Sequence, residues 1–525
     1  MTSWGDISSR KTILLVFAEA PVTVSVSRVF CEWMTSNMNI KSCTIEVKRT
    51  MMAGYAASDG ARTWCIDCFH RVVEFDRSKR FHLSSSFHPP VRAIMPSGDN
   101  RQAMELTKRQ QDILDGKEGD VKAKVMKTLV MYGETFGSTR MVDITGKYGH
   151  LVTSFGLSVM KPVYDLMDTL IDAGAVSSQK FSVDPRPLES CVPANLIQKI
   201  FFRVMYSKQD DYDRQLKRLG IMSDDAYTCT CYMDEVGNTP KEGDILSWAE
   251  SSAVVYANSI LGARCNRNSG ILDLFGSIVG CVPYFGLLTD DGRKADWLIE
   301  VRTSKRPEAQ LLGSAIGMKV MEAVPYVIGM DRWFTGLDDE AKAYFKDFGA
   351  ATASNGAVGL YHIENLTPEA VKQGRSLLRE GYRTFVIDDA VLEDTERNYP
   401  MIWKDASARP KLAFIGCPHL SPAQLESWSD RIDSALCERG LKKVAVPVVM
   451  TAAPAVVEAF KKTDRARRLL SQGVILSHIC PLMYMNNPQC ASMPVITCSN
   501  KLRTYTSARY YKEDDLLRIV TGGER

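Results

Sequence analysis

The polar residues of one short apolar stretch are the first candidates for a functional site. Between Ser247 and Leu261 the sequence is mostly hydrophobic, which predicts a buried helix. Four polar side chains interrupt it: Glu250, Ser251, Ser252 and Asn258. Buried carboxylate, hydroxyl and amide groups are costly unless they find partners, so these residues form either an internal network or the wall of a site. The alternative for Glu250 is a capping box with Ser247 that starts the helix.

Two arginines follow the predicted helix. Arg264 and Arg267 come after Gly262, a natural helix end, and are therefore expected in a turn. A guanidinium group binds carboxylate or phosphate through paired hydrogen bonds, so the two arginines suit an anionic substrate. A pair of solvated loop arginines is the alternative interpretation.

Three dispersed cysteines are candidate metal ligands. Cys229, Cys417 and Cys480 each follow an apolar or strand-like segment and stand beside a turn former. Closely spaced cysteines are typical of ferredoxin or zinc sites, whereas three remote thiols suit a centre that folding assembles and that keeps one position open for substrate. The alternative is three buried structural thiols.

Composition is that of an ordinary globular protein. The 525 residues are 45% hydrophobic and 24% charged, which leaves room for two to four domains. The net charge of +3, with charges interspersed, predicts no nucleic-acid partner, and no apolar run reaches the roughly 20 residues of a membrane span. The apolar run from Thr12 to Phe17 is short for a secretory signal, and the 14 cysteines suit a reducing compartment. We therefore expect a cytoplasmic protein.

Residues 1–105 differ in pattern from the rest of the chain. Their apolar runs are irregularly spaced, and the proline-containing segment from Ser84 to Ser97 is typical of a linker. Cys65, Cys68 and His70 form either a small zinc site or ordinary half-buried side chains.

From Leu106 onward, strand-like segments alternate with helices. Thr107, Thr367 and Ser421 are predicted helix caps, and proline follows the last two. Predicted helices cover Val121–Phe136, Leu157–Ala173 and Lys342–Ala353, and predicted strands include Ala357–His362, Leu412–Ile415, Val444–Met450, Gly473–Leu476 and Met493–Thr497. The alternation predicts an α/β fold with layers of helices on mostly parallel sheets, in which ligands bind beyond the carboxyl ends of strands.

Several motifs resemble those of the aconitase X family. They are Thr228–Thr230, Trp248–Val255, Ala257–Arg267, Gly416–Ser421, Ser354–Val358, Thr367–Ala370 and Leu114–Gly116. The resemblance runs from about Leu106 to Gly522. It implies an aconitase-like catalytic region at residues 106–522 with multi-domain α/β/α layers, whereas residues 1–105 would be an extension or a diverged small domain.

The resemblance implies a hydro-lyase that eliminates water from a small hydroxy acid. Known family activities are dehydration of cis-3-hydroxy-L-proline and of phosphomevalonate. The family binds an iron–sulfur cluster or a mononuclear iron through three cysteines, a role that carries over to Cys229, Cys417 and Cys480. The additional thiols of Cys231 and Cys498 are potential competitors for the metal.

The resemblance also assigns roles around the metal. Iron with an open position would act as a Lewis acid for the leaving hydroxyl, while a positioned base takes the proton. Glu250, Ser251 and Ser252 are expected to act in catalysis. The expected substrate contacts are Asn258, Arg264, Asn266 and Arg267, together with His150 and His419, although both histidines also suit structural roles.

Aconitase-type enzymes also need a small swivelling domain that supplies a catalytic serine. Ser97 in Pro96-Ser97-Gly98 is one candidate, and a separate small subunit is the other. We expect cis-3-hydroxy-L-proline as substrate, because no phosphate-cradling glycine loop is evident. The alternatives are the large subunit of a phosphomevalonate dehydratase and an incomplete, non-catalytic large subunit.

Overall fold

A computed structural model describes residues 104–523 in full, together with the backbone of three strands before them. These strands are β1 (Thr12–Ile13), β2 (Ser42–Thr50) and β3 (Cys68–Asp76). The predicted serine, Ser97, and the predicted zinc ligands, Cys65, Cys68 and His70, lie outside the residues whose side chains are described. None of the helices in the described part of the chain has the length and apolar character needed to cross a membrane.

The chain divides into two compact units. One consists of Met1–Glu105 and Val130–Thr139, and the other of Leu106–Leu129 and Arg140–Arg525. In the first unit, β1 pairs parallel to β2, and β2 pairs antiparallel to β3. The second unit contains every predicted site residue whose side chain is described.

The segment from Lys108 to Pro283 contains seven helices and four short strands. Its helices are α1 (Lys108–Leu114), α2 (Asp120–Thr135), α3 (Lys161–Asp172), α4 (Leu196–Met205), α5 (Gln209–Leu219), α6 (Ser251–Ser259) and α7 (Gly270–Val279). Its strands are β4 (Met141–Asp143), β5 (Gly149–Leu151), β6 (Phe181–Val183) and β7 (Cys281–Pro283). β4 pairs antiparallel to β7, and β5 pairs parallel to β6.

A four-stranded parallel sheet follows. It contains β8 (Ala295–Val301), β9 (Pro325–Ile328), β10 (His362–Ile363) and β11 (Leu378–Ile387), in the order β10-β9-β8-β11. The helices of this region are α8 (Ala309–Val320), α9 (Asp339–Asn355), α10 (Pro368–Gln373) and α11 (Asp389–Arg397). Alternate residues of β8 enter different cores, because successive side chains of a strand point to opposite faces: Trp297 and Ile299 pack with α8 and α9, whereas Leu298 packs with α10.

The last third of the chain forms a five-stranded parallel sheet. Its strands are β12 (Leu412–Leu420), β13 (Val448–Ala452), β14 (Val474–Ser477), β15 (Val495–Thr497) and β16 (Arg509–Tyr510). The helices are α12 (Pro422–Glu438), α13 (Pro454–Phe460), α14 (Asp464–Ser471), α15 (Pro481–Met485), α16 (Asn500–Tyr505) and α17 (Glu513–Val520). The order β14-β13-β12-β15-β16 reverses its winding direction beside β12, and a crevice at such a reversal is where ligands bind in open α/β sheets.

The predicted α/β architecture with mostly parallel sheets is confirmed, and Thr107, Thr367 and Ser421 are each the N-cap residue of a helix, although the side chain of Thr367 makes no capping hydrogen bond. Thr107 and Ser421 each form a capping box with a glutamine three residues later, and Thr367 precedes Pro368 at the first position of α10. These signals are local in sequence, so they specify a helix start without help from distant residues. The helices predicted at Val121–Phe136, Leu157–Ala173 and Lys342–Ala353 are α2, α3 and α9.

The predicted bounds of two elements were wrong. The helix predicted from Ser247 begins at Ser251, because the hydroxyl of Ser247 donates to Asp273 instead of capping. Of the strand predicted at Ala357–His362, only His362 lies in a strand, β10. Backbone groups of Gly359 and Tyr361 bond to side chains of α6 rather than to a neighbouring strand.

Candidate active site

His419 joins the segments that carry the three predicted metal ligands. It lies near the carboxyl end of β12, two residues after Cys417. Its backbone N–H donates to Sγ of Cys229 at 3.4 Å, and its ring Nε2 lies 3.1 Å from the carbonyl oxygen of Ile479, the residue before Cys480. The segments of all three cysteines therefore meet beside the point where the five-stranded sheet reverses its winding.

The ring of His419 is fully buried, and both of its nitrogens are engaged inside the protein. Nδ1 lies 2.9 Å from Oγ1 of Thr228. Because the carbonyl oxygen of Ile479 can only accept, Nε2 carries the proton and Nδ1 accepts from Thr228. Burial lowers the pKa of His419 to about 3, so the ring is neutral. His419, predicted as a substrate contact, is thus a clamp between two loops.

Glu250 is the N-cap of α6, and its carboxylate is buried. Oε2 accepts from the backbone N–H of Ala253 at 2.6 Å and from the hydroxyl of Ser252 at 2.7 Å. The hydroxyl of Ser251 lies 3.4 Å from Oε1. Burial opposes ionisation of Glu250, but Lys501 and these donors outweigh it and lower the pKa to about 2. The three predicted catalytic residues therefore form one group around an ionised carboxylate.

Lys501 is a site residue that the sequence did not indicate. Its Nζ lies 2.5 Å from Oε1 of Glu250 and 3.1 Å from Oγ of Ser252. It stands in the first turn of α16, in the loop-to-helix segment after β15, with Ser499 as the N-cap. Burial lowers the pKa of Lys501, but the surrounding negative groups, Glu250 foremost, raise it well above its usual value, so the ammonium is retained. The only local signal was its position after a parallel strand.

The thiols of Cys229, Cys417 and Cys480 form a soft donor set. Burial raises the pKa of each thiol, and the ammonium of Lys501 acts in the opposite direction on all three. Metals bind thiolates, so binding here would release protons. Among residues 104–523, no three His, Cys, Asp or Glu side chains are grouped as ligands of a metal ion. The donor set fits iron in its chemistry, and a shared centre requires the side chains to turn towards one another.

His150 is buried near the candidate site, where its ring faces the carboxylate of Asp184. Its ring is fully buried, with Nδ1 2.9 Å from Oγ of Ser182 and Nε2 3.6 Å from Oδ1 of Asp184. Burial favours the neutral ring, but Cys231 and Asp184 outweigh it and raise the pKa of His150 to about 10. His150, predicted to contact the substrate, has both ring nitrogens directed at groups of the protein.

Two predicted substrate contacts hold loops in place. The amide of Asn258 donates to the carbonyl oxygens of Cys265 and Gly359 at 2.9 and 2.8 Å, and it accepts from the N–H of Cys265 at 2.9 Å. The amide of Asn266 donates to Phe285 at 2.9 Å and accepts from Leu287 at 2.7 Å. Both side chains use their polar atoms within the protein.

The two predicted anion-binding arginines have different surroundings. Arg264 donates to the carbonyl oxygen of Leu288 at 2.8 Å and lies 2.5 Å from Oδ1 of Asp290. Arg267 has a φ of 53°, the left-handed region that non-glycine residues seldom adopt. Such a conformation persists only where the surrounding structure imposes it.

The two additional thiols have different surroundings from the three candidate ligands. Cys231 is fully buried beside His150 and packs in the core around α6. Cys498 packs against the core of the five-stranded sheet, where burial and then Glu513 and Asp347 raise its pKa well above the usual value.

Comparison with known proteins identifies the family. Residues 103–291 match the family described as "Aconitase X first domain", and residues 295–397 match "Aconitase X second domain". The chain belongs to the aconitase X family. The solved structure of Thermococcus kodakaraensis aconitase X (holo-form) has a TM-score of 0.65 and 27% identity to it, covering 79% of this chain and 99% of that one.

Relatives with two different substrate names are similar to this aconitase X chain. The phosphomevalonate dehydratase large subunit of Thermococcus kodakarensis is 31% identical over 67% of this chain and 82% of its own length. The cis-3-hydroxy-L-proline dehydratase of Hypocrea jecorina is 26% identical over 78% of this chain and 65% of its own length. Both names describe dehydration, and the chain is a lyase of this class.

Proposed function

We propose that this aconitase X chain removes water from a small hydroxy acid, with cis-3-hydroxy-L-proline as the substrate. The observation that supports the proposal is the meeting of three thiol-bearing segments beside a buried carboxylate–ammonium pair. This combination offers soft metal donors and an anion-binding cation at the switch point of a parallel sheet.

Cys229, Cys417 and Cys480 would hold the iron, as an iron–sulfur cluster or a single ion. When bound, iron supplies a Lewis acid that helps the hydroxyl group to leave. His419 contributes by fixing the Cys229 and Cys480 loops relative to Cys417. Because the ring is neutral and buried, it adds no charge to the metal pocket.

Lys501 is proposed to hold the substrate carboxylate. Two of its three N–H groups are directed at Glu250 and Ser252, and the third has no acceptor within residues 104–523. Glu250 keeps the ammonium charged and oriented, and Ser251, at the more accessible edge of this group, faces the substrate. A carboxylate bound to Lys501 would be excluded from water, which strengthens the ion pair.

Charge balance favours the hydroxyproline substrate. Glu250 and Lys501 neutralise each other, so this pair offers no surplus of positive charge to a phosphorylated acid. Phosphomevalonate is the second candidate, because the relative with 31% identity carries that name. This relative is called a large subunit, and we propose that a separate small swivelling subunit completes the site here as well.

The test combines metal content with activity. Protein purified without oxygen should contain iron, and Cys417→Ser should lose most of it, whereas Cys281→Ser, a buried cysteine on β7, should not. Dehydration of cis-3-hydroxy-L-proline and of phosphomevalonate is then measured with and without a small subunit. Unchanged iron in Cys417→Ser contradicts the metal assignment, and absence of both activities with the small subunit present contradicts the lyase.

A further inference from the structure

Lys346 is a buried cation beside the segment that carries the candidate metal ligand Cys417, and neither the motifs nor the proposed chemistry assign it a role. It lies on α9, and its side chain is only 2% exposed. Its Nζ donates to the carbonyl oxygen of His419 at 3.1 Å and to Oδ1 of Asp347 at 2.7 Å. Because His419 follows Cys417 by two residues in β12, the ammonium holds the backbone next to the thiol.

The carboxylate that pairs with Lys346 is bound to the helix that follows β12. Oδ2 of Asp347 accepts from Nε2 of Gln424 at 2.7 Å. Gln424 is the third residue of α12 and forms its capping box with Ser421. Because Lys346 holds the end of β12 and Asp347 holds the start of α12, two adjacent residues of α9 fix both sides of the turn after Cys417.

Other elements hold the carbonyl oxygen of Cys417 itself. It accepts from the hydroxyl of Ser499, the N-cap of α16, and from Nε2 of Gln310 on α8 at 3.4 Å. Oε1 of Gln310 in turn accepts from the backbone N–H of Asn500 at 2.9 Å. Side chains of three separate elements thus donate to the backbone of this segment, and Lys346 is the charged donor among them.

Packing alone does not account for a lysine at this position. Burial of an ammonium is costly even beside a carboxylate, whereas a methionine would fill a similar volume without that cost. A hydrogen bond from an ammonium is stronger than one from a neutral donor, so lysine restrains the carbonyl oxygen of His419 more firmly. The charge also acts on the thiol, because burial raises the pKa of Cys417 and Lys501, Ser499 and Lys346 oppose that rise.

Building on the proposed function, we propose that Lys346 is a positioning residue for the metal centre. Its ammonium fixes the backbone from Cys417 to His419 and so holds the Cys417 thiol where it would bind iron. Groups that orient metal ligands change metal affinity by about 10–100-fold without touching the metal. Loss of Lys346 should therefore weaken metal binding directly, and activity only as a consequence.

Two variants separate positioning from simple pairing of charges. Lys346→Met removes the ammonium and leaves the carboxylate of Asp347 isolated. The double variant Lys346→Met/Asp347→Asn also lacks the ammonium but leaves no isolated charge. Arg293→Met is the matched control, because Arg293 is a cation that is 1% exposed and paired with Glu369 at 2.7 Å. Its side chain binds groups outside the segments of the three candidate ligands.

Metal binding by the full-length protein is the main readout. Iron is measured after anaerobic purification, and the apoprotein is titrated with Co²⁺, whose absorption reports binding to thiolates. Lys346→Met should bind Co²⁺ about 10–100-fold more weakly than wild type and retain little iron. The double variant should show the same loss, although its thermal midpoint should exceed that of Lys346→Met. Arg293→Met should lose stability and keep the Co²⁺ affinity of wild type.

The outcomes separate this inference from the proposed lyase. Wild-type Co²⁺ affinity in Lys346→Met or in the double variant, or an equal loss in Arg293→Met, overturns the role of Lys346 while the metal assignment stands. The double variant alone decides if Lys346→Met does not fold. Wild-type protein that binds neither iron nor Co²⁺ overturns both the inference and the metal assignment. The expected metal losses without any dehydration by wild type remove the lyase proposal and leave the role of Lys346 intact.

Discussion

The ammonium of Lys501 lies 2.5 Å from the carboxylate of Glu250, and both side chains are buried in the candidate site. The two residues are 251 positions apart in sequence, so the pair forms only when α6 and α16 are brought together. Removing either partner leaves an uncompensated charge away from water.

We therefore expect Lys501→Met and Glu250→Gln each to lower the free energy of unfolding by about 3–5 kcal/mol. The double variant should lose less than the sum of the two, because it leaves no isolated charge. Urea unfolding of the four proteins measures the coupling. Additive losses would show that the two groups do not stabilise each other.

The clamp formed by His419 makes stability depend on pH. Its pKa is about 3 in the folded protein and about 6.5 in the unfolded chain, so between these values the unfolded chain binds the additional proton. Stability from this residue is therefore complete above pH 6.5 and falls by about 2 kcal/mol on going from pH 7 to pH 5. His419→Asn should remove this part of the pH dependence in chemical unfolding. An identical pH dependence in wild type and variant would contradict a neutral, buried ring.

Asp273 is expected to change stability with pH in the opposite direction to His419. Burial raises its pKa to about 7, although Asn268, Ser269 and Ser247 donate hydrogen bonds to it. Between pH 4 and 7 the folded protein binds the additional proton, so this residue costs stability as the pH rises. The free energy of unfolding of Asp273→Asn, relative to that of wild type, should rise by about 3 kcal/mol from pH 5 to pH 8. Unfolding measurements at both pH values check this. A difference between the two proteins that does not change with pH would contradict this assignment.

Gly416 permits close contact between β12 and β13 next to the candidate metal ligand Cys417. It has a φ of 106°, and a Cβ at this position would lie 2.4 Å from the carbonyl oxygen of Thr451. Gly416→Ala should therefore cost at least about 3 kcal/mol of stability and reduce iron content. Gly440→Ala, with a φ of 63° and no atom within 4 Å of the new methyl group, should cost only about 1 kcal/mol and keep its iron. Equal losses in the two variants would mean that backbone conformation alone sets the cost.

Sequence reasoning succeeded where a signal is confined to neighbouring residues. The caps at Thr107 and Ser421 could be predicted because the donor and acceptor groups lie three positions apart. The same logic failed for Ser247, whose spacing to Glu250 fits a capping box but whose hydroxyl bonds to Asp273. The competition between these two partners is decided by tertiary packing.

The composition of the candidate site could be predicted only in part. The motif around Glu250 and the cysteines Cys229 and Cys417 could be singled out from sequence. Lys501 could not, because a lone lysine after a short strand is common, and its role depends on Glu250, 251 positions away.

The candidate site draws on residues spread between Cys229 and Lys501, and the last of them is also the cation that neutralises Glu250. During synthesis on the ribosome, the thiol of Cys229 emerges long before those of Cys417 and Cys480. The pocket is therefore incomplete until α16, which carries Lys501, has been synthesised. A nascent chain stalled before α16 would lack the ammonium that pairs with the carboxylate of Glu250.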